Sequence, residues 1–296
     1  MLRFVLNEAG RLALGLAGAA LMAAAVAAAS VPHAGNGALH FLGAWGGQLF
    51  EFAHFRFGES AITGAPVVSE LASRLPLTLG LVVEGIAVAA LVGIPIGFLF
   101  GTGPVRRAAA PLIQIVAAAP IFCAGLALVF AASNLLHWPV PMNGGARVGF
   151  ALFPRSASEA RAVLLPALMV GLAGAAAVQL VLHRAAADLG RQSWRIYLRR
   201  MGLSAWEIDG VYVAPQIFAG MLWSLGEVML SLLSATAVAE WVFARPGAAD
   251  LFVKSVALHD WSTAGAVLFL FAGLTLAAEF VGRCAAHPLI DPGHAR

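Results

Sequence analysis

Five side chains with charge or hydrogen-bonding capacity fall inside long apolar runs: Glu84, Gln114, Gln179, Glu227 and Glu279. A charge at the centre of a bilayer costs at least about 2.5–3.5 kcal/mol on insertion scales, so each glutamate needs a partner, a proton or a watery cavity. Glu227 stands near the middle of its run, and Glu84 about 12 Å from the outer end of its own at 1.5 Å per residue. Two readings are open for this pair: carboxylates that attract cationic groups, or protonated or hydrogen-bonded glutamates that lock helices together. The histidines His33, His40, His54, His137 and His259 are scattered without ligand spacing, so no metal site is expected. No zinc-protease, serine-nucleophile or phosphate-loop lysine motif occurs, so the chain is expected to bind no cofactor and to hydrolyse no nucleotide alone.

The elements that hold these residues follow from composition. Of 296 residues, 60% are hydrophobic and 11% charged, and the mean hydropathy is +0.86. Soluble domains run near about 45–50% apolar and 25% charged, which excludes a cytosolic enzyme, a nucleic-acid binder and a disordered chain. Six stretches approach the roughly 20 apolar residues of a bilayer crossing: Leu12–Val31, Pro76–Gly101, Ala108–Ala132, Ala162–Leu182, Ile217–Ala239 and Ala264–Gly282. The expectation is an all-α polytopic membrane protein with six transmembrane helices and no separate soluble domain. The first run is longer than a signal-peptide core of about 7–15 residues, so it reads as a retained helix.

Positive charge sets the orientation. With the N-terminus inside, the inner segments carry Arg3, Arg11, Arg106, Arg107, Arg184, Arg191, Arg195, Arg199, Arg200, Arg283 and Arg296. The outer ones carry Arg56, Arg74, Arg147, Arg155, Arg161, Arg245 and Lys254. The bias places both termini in the cytoplasm. In the outer stretch 32–75, Leu42, Trp45, Leu49 and Phe52 share one helical face. That face suits either a helix lying in the membrane interface or a cap packed on the bundle.

The most polar stretch is the inner loop His183–Gln216. A helix is expected through Arg191, Arg195 and Arg199. Gly202 can then adopt the left-handed conformation that ends many helices. Ser204-Ala205-Trp206-Glu207 fits a capping box that starts a new one, and Pro215 precedes the next crossing. A short helix with Trp206 and Tyr212 exposed suits either docking into a groove of another protein or lying on its own bundle.

The run Tyr197-Leu198-Arg199-Arg200-Met201-Gly202-Leu203-Ser204, with Pro215 downstream, resembles the loop of importer-type ABC permeases. The likeness is to the oligopeptide/dipeptide/nickel branch in particular. Four more segments resemble that branch in order and spacing: Phe55 to Ser60 with Pro66-Val67; Arg74 to Leu79 with Gly93 to Gly97; Glu240 to Gly247 with Asp260; and Ile290-Asp291-Pro292. Gly293 stands where the branch has arginine and Ala248-Ala249 follow Pro246-Gly247, so the chain resembles a divergent member. The resemblance covers roughly Phe41 to Gly293. It divides the chain into an N-terminal helix and loop start (1–40), a permease domain (41–293) with a coupling loop (183–216), and a short tail (294–296).

The resemblance implies a multi-pass subunit of the bacterial cytoplasmic (inner) membrane. Such a subunit pairs with a second homologous permease or with itself as a homodimer. It also implies two ATPase subunits that carry ATP and Mg, an extracytoplasmic solute-binding protein, and a peptide or related small polar solute. The coupling helix would be formed by Tyr197, Arg199, Gly202, Leu203, Ser204, Trp206, Glu207, Tyr212 and Pro215. Glu84, Glu227, Pro246 and Gly247 would line the translocation path, with Pro95 and Pro120 as hinges or static bends. The rival readings are an ion-coupled secondary transporter or channel using Glu84 and Glu227, and a membrane scaffold or enzyme without an ATPase partner.

Overall fold

The computed structural model describes residues 2–28, 37–99, 121–135, 137, 157–190, 193–204 and 207–290. In chain order the helices are α1 (Leu2–Ala28), α2 (Gly37–Ala53), α3 (Val67–Leu99), α4 (Ile121–Asn134), α5 (Ala157–Gly190) and α6 (Ser193–Arg200). A π-helical turn (Ile208–Val213) follows, then α7 (Ala214–Trp223), α8 (Leu225–Val242), α9 (Ala248–Ala257) and α10 (Trp261–Ile290). Among the described residues the only extended pairing is one bridge between Glu59 and Pro66. The fold is therefore all-α.

Among the described residues, five helices are long and apolar enough to cross a membrane: Arg3–Ala28, Val67–Gly93, Val163–Val181, Leu225–Val242 and Trp261–Leu289. The expected third crossing, Ala108–Ala132, lies partly outside the described residues. Its described part is α4, which contains the shorter apolar helix Gly125–Asn134.

The second crossing starts well before its apolar run. The Pro66 carbonyl accepts the Ser69 and Glu70 N–H groups, and Glu70 in the first turn favours a helix N-terminus. Buried Val67 and Leu71 then alternate with exposed Val68 and Ser69. This first part is amphipathic, so counting apolar residues alone misses it.

Helices α3 and α5 form the most extensive pairing, and small residues make it possible. A Cβ on Gly171 would lie 2.3 Å from Val88 Cβ, one on Gly85 2.5 Å from Val170 Cγ1, and one on Gly174 3.0 Å from Ala89 Cβ. Without a hydrophobic driving force inside lipid, such close backbone approach supplies the packing. Gln179 adds a hydrogen bond from its side-chain amide to the Gly93 carbonyl. The main core forms here, with Leu81, Val82, Met169, Val170, Leu232 and Leu233.

The fifth crossing is not one straight helix. It breaks at Ser224 (φ −95°, ψ 14°), between α7 and α8. Helix α10 presses on this break: a Cβ on Gly282 would lie 2.1 Å from the Leu222 carbonyl oxygen, and one on Gly226 2.8 Å from Glu279 Cβ. The break puts Glu227 in the first turn of α8 rather than mid-helix.

Helix α2 packs on α1. Phe52 is fully buried with Ala19, Ala20, Ala23 and Phe269, and the Trp45 indole N–H donates to the Leu21 carbonyl. Of this face, Phe52 and Leu49 pack against α1, while Leu42 stays exposed.

Because Gly171 is closed on by Val88, Gly171→Leu should separate α3 from α5 and cost about 1–3 kcal/mol. Gly18→Leu, where nothing lies within 4 Å of the added Cβ, should be close to neutral. Thermal unfolding midpoints of the purified protein compare the two, and equal midpoints would contradict this packing.

Candidate functional site

Two regions gather the residues singled out by the sequence. They lie at opposite ends of the bundle, one around α6 and one around α9.

At the first end, α6 carries Arg199 and Arg200 in its last turn, where cations suit the carbonyl end of a helix. It ends in a Schellman motif: Leu203 N–H donates to Leu198 O (3.3 Å) and Gly202 N–H to Arg199 O (3.1 Å). Gly202 takes φ +88°, a conformation that costs other residues roughly 1–2 kcal/mol.

The restart is the expected capping box. The Ser204 N–H and hydroxyl both donate to Glu207 Oε2 (2.8 Å each), and the Glu207 N–H donates to Ser204 Oγ (3.2 Å). These bonds, the backbone one foremost, hold the Glu207 carboxyl below its ordinary range. The element that follows is a π turn rather than a short α-helix. The Ala214 N–H reaches back five residues to Asp209 O, and Pro215 has no N–H to offer the Val211 carbonyl.

This turn has two faces. Ile208 and Val213 are buried beneath it against Trp194, Leu198, Leu203 and Ile217. Val211 and Tyr212 of the turn are exposed, as are Ile196 and Tyr197 of α6 and Met201 just after it. The Tyr212 ring sits 6.5 Å from Trp194, and Pro215 is exposed in the first turn of α7. Trp206 lies outside the described residues.

At the other end, two buried carboxylates are each met by neutral donors. Glu240 is 1% exposed. Its Oε1 accepts the Thr78 hydroxyl (2.6 Å) and its Oε2 the Asp250 N–H (2.8 Å), while Thr78 Oγ1 accepts the Ala248 N–H (2.7 Å). A Cβ on Gly247 would fall 2.0 Å from Glu240 Oε1, so this position is closed to any larger residue unless the carboxylate moves. Pro246 beside it is exposed.

Asp260 forms the second knot. Its Oδ2 accepts the Ser60 (2.6 Å) and Thr263 (2.8 Å) hydroxyls, and its Oδ1 the Thr263 N–H (3.2 Å). Burial opposes its ionisation, but these hydrogen bonds prevail and hold the carboxyl below its ordinary range. Asp250 meanwhile pairs with Lys254 (2.6 Å) and Arg74 (3.6 Å). Three separate sequence segments, around Ser60, Thr78 and Glu240 to Asp260, are thus tied into one assembly.

The intramembrane carboxylates meet different surroundings. Glu84 is half-buried with Oε2 unpartnered, and Arg245 likewise has Nη1 buried without a hydrogen-bond acceptor. The Arg245 charge acts on Glu84 and on Glu240. Glu227 is instead exposed, 3.7 Å from Arg184, whose side chain is mostly exposed as well; such pairs contribute at most about 1 kcal/mol. Arg245 is the residue that sequence reasoning passed over, although it lies between Glu240 and Pro246-Gly247. Among the described residues no group of His, Cys, Asp and Glu has metal-binding geometry.

A depressed folded-state pKa at Asp260 means its stabilisation is complete above its unfolded value of about 3.9 and is lost as pH falls through the folded value. Asp260→Asn should therefore lower the unfolding midpoint at pH 7 and flatten the decline of the midpoint below about pH 3.9. Parallel pH profiles for the two proteins would contradict the knot.

Known proteins give the context for this geometry. Residues 89–286 match the family described as binding-protein-dependent transport system inner membrane component. The chain is 22% identical over 262 residues to the peptide transport system permease protein SapB of Salmonella typhimurium, covering 80% of this chain and 81% of that protein. The Escherichia coli K12 counterpart, named putrescine export system permease protein SapB, is 23% identical over 263 residues with the same coverage. A putative peptide transport system permease protein of Brucella abortus is 26% identical over 238 residues, covering 77% of this chain and 72% of that protein. With an all-α fold of apolar spans and two thirds of its length matched, the chain belongs to the family of inner membrane components of binding-protein-dependent transport systems, as a multi-pass permease subunit of the ABC type.

Proposed function

We propose that this chain is one membrane-spanning half of an ATP-driven importer for peptides or a related small polar solute handed over by an extracytoplasmic binding protein. It pairs with a second homologous permease or another copy of itself, with both termini in the cytoplasm. Two ATPase subunits dock at the π turn and carry the ATP and Mg, so this chain supplies the path and the mechanical link rather than the chemistry.

The observation that carries this reading is the exposure of apolar side chains at the end of α6 (Ile196, Tyr197, Met201) and on the π turn (Val211, Tyr212), with Ile208 and Val213 buried beneath the turn. Gly202, Leu203, Ser204, Glu207 and Pro215 build that turn, with Arg199 at its basic edge. A push on the π turn runs along α7 to the Ser224 break, where α10 is in close contact. Glu84, Glu227, Pro246 and Gly247 are the candidate path residues, and the names of the peptide permease relatives support the solute class.

A second reading, export of a small cationic amine, is favoured by the unpartnered Glu84 Oε2 and the name of the Escherichia coli relative. Direction and solute separate the two: labelled tripeptide accumulating inside right-side-out vesicles supports import, and labelled diamine leaving them supports export.

Docking is tested by Val211→Asp. The wild-type chain purified from its native membranes should retain ATP hydrolysis through associated subunits. The variant should lose at least about ten-fold of it, since a buried unpaired charge costs several kcal/mol. Glu59→Gln, an exposed position at the other end, should retain it in full. Undiminished hydrolysis with Val211→Asp would contradict the docking face.

A further inference from the structure

At the α6 end, a cavity of about 540 Å³ opens between α1, the end of α7 and α10. It is lined by two carboxylates and two guanidinium groups. Glu8, 4% exposed, binds Arg11 through Oε1 (2.7 Å) and Arg283 through Oε2 (3.2 Å). Arg283 also pairs with Glu279 and stands 5.3 Å from the Trp223 ring centroid. These pairs leave binding capacity open. Arg283 Nε is buried with no acceptor, the Arg11 side chain is 63% exposed, and Glu279 is 35% exposed with one oxygen used by Arg283.

The four charges cancel, so the cavity suits a ligand carrying both signs rather than a bare anion. Its remaining walls are apolar: Leu12, Leu276 and Phe280.

Position narrows the ligand further. From Leu12 to Ala28, α1 has no charged side chain and spans roughly 25 Å at 1.5 Å per residue, close to the hydrocarbon thickness of about 30 Å. Glu8 and Arg11 therefore sit at headgroup level, where tryptophan is also enriched. Helix α1 packs on α10 and α2 and leaves Leu6, Leu14 and Met22 exposed, so the cavity lies beside a helix at the edge of the described bundle.

We propose that this cavity holds the head of one ethanolamine-type phospholipid, its phosphate on Arg11 and Arg283, its primary ammonium on Glu279, and its upper chain against Leu276 and Phe280. The lipid would touch Trp223, the last residue of the helix leading from the π turn, and so brace the strut that carries force into the bundle. Occupancy itself does not depend on the transport reading.

The test is native mass spectrometry of the purified full chain, offered equal amounts of phosphatidylethanolamine, phosphatidylcholine and phosphatidylglycerol. One phosphatidylethanolamine should be retained in preference to both others. Arg11→Gln, which leaves the Glu8–Arg283 pair in place, should cut its retention about ten-fold, as expected for one charged hydrogen bond. Glu279→Gln should abolish the preference for ethanolamine over choline while a lipid is still held. Equal retention of all three lipids, preference for phosphatidylglycerol, or unchanged selectivity in both variants would overturn the proposal. Displacement by stoichiometric glycerophosphoethanolamine, but not by inorganic phosphate, would assign the cavity to a free headgroup compound and overturn the lipid as occupant.

Discussion

The shape of the loop between α6 and α7 depends on how the backbone reverses at Gly202 and starts again at Ser204. One left-handed residue ends α6, and a serine–glutamate pair fixes where the next element begins. Between them they decide which side chains of the following turn point inward and which outward. Ile208 and Val213 then anchor the turn through a small core of their own, and the apolar face left outside is held in shape without a partner. An exposed tyrosine or valine on a mobile loop would lose that geometry; here the loop closure has already been made.

The same turn is joined to the rest of the protein by close contacts. Helix α7 continues from it to Ser224, and α10 meets the break through Gly226 and Gly282. At the opposite end the solution is polar: Glu240 and Asp260 are buried and collect hydroxyl and backbone donors from segments far apart in sequence. Buried carboxylates with their acceptor sites filled fix one arrangement of loops, because leaving them unfilled is costly. The bundle thus has one end that exposes apolar side chains on a fixed turn and another that is tied by buried polar knots.

What could be read from the sequence was what is locally encoded. Gly202, the capping box and the place of Pro215 depend on residues a few positions apart, and all three appear where expected. Among the described residues five crossings followed from apolar length, although an amphipathic turn lengthened α3 and a break shortened the fifth to Leu225–Val242. The break at Ser224 has neither glycine nor proline at its own position, although Gly226 follows two residues on and α10 meets the chain there. Three further Schellman ends use Phe55, Ala244 and His259 at positive φ, where no glycine announces them. Motifs such as Arg74 to Leu79 and Glu240 to Gly247 were visible as separate runs. That Thr78 and Glu240 meet, and that Arg245 shares a field with Glu84, required the three-dimensional arrangement. Glu227 illustrates the converse: its place in an apolar run suggested a mid-helix charge, yet the break at Ser224 puts it in the first turn of α8, exposed beside Arg184.

The most direct measurement is site-specific photo-crosslinking in native membranes, with the reactive group at position 212 on the exposed face and, separately, at position 208 beneath it. The account predicts a crosslink from 212 to an ATP-binding subunit and only intramolecular products from 208. Crosslinks from 212 to this chain alone, with none to an ATP-binding protein, would contradict it.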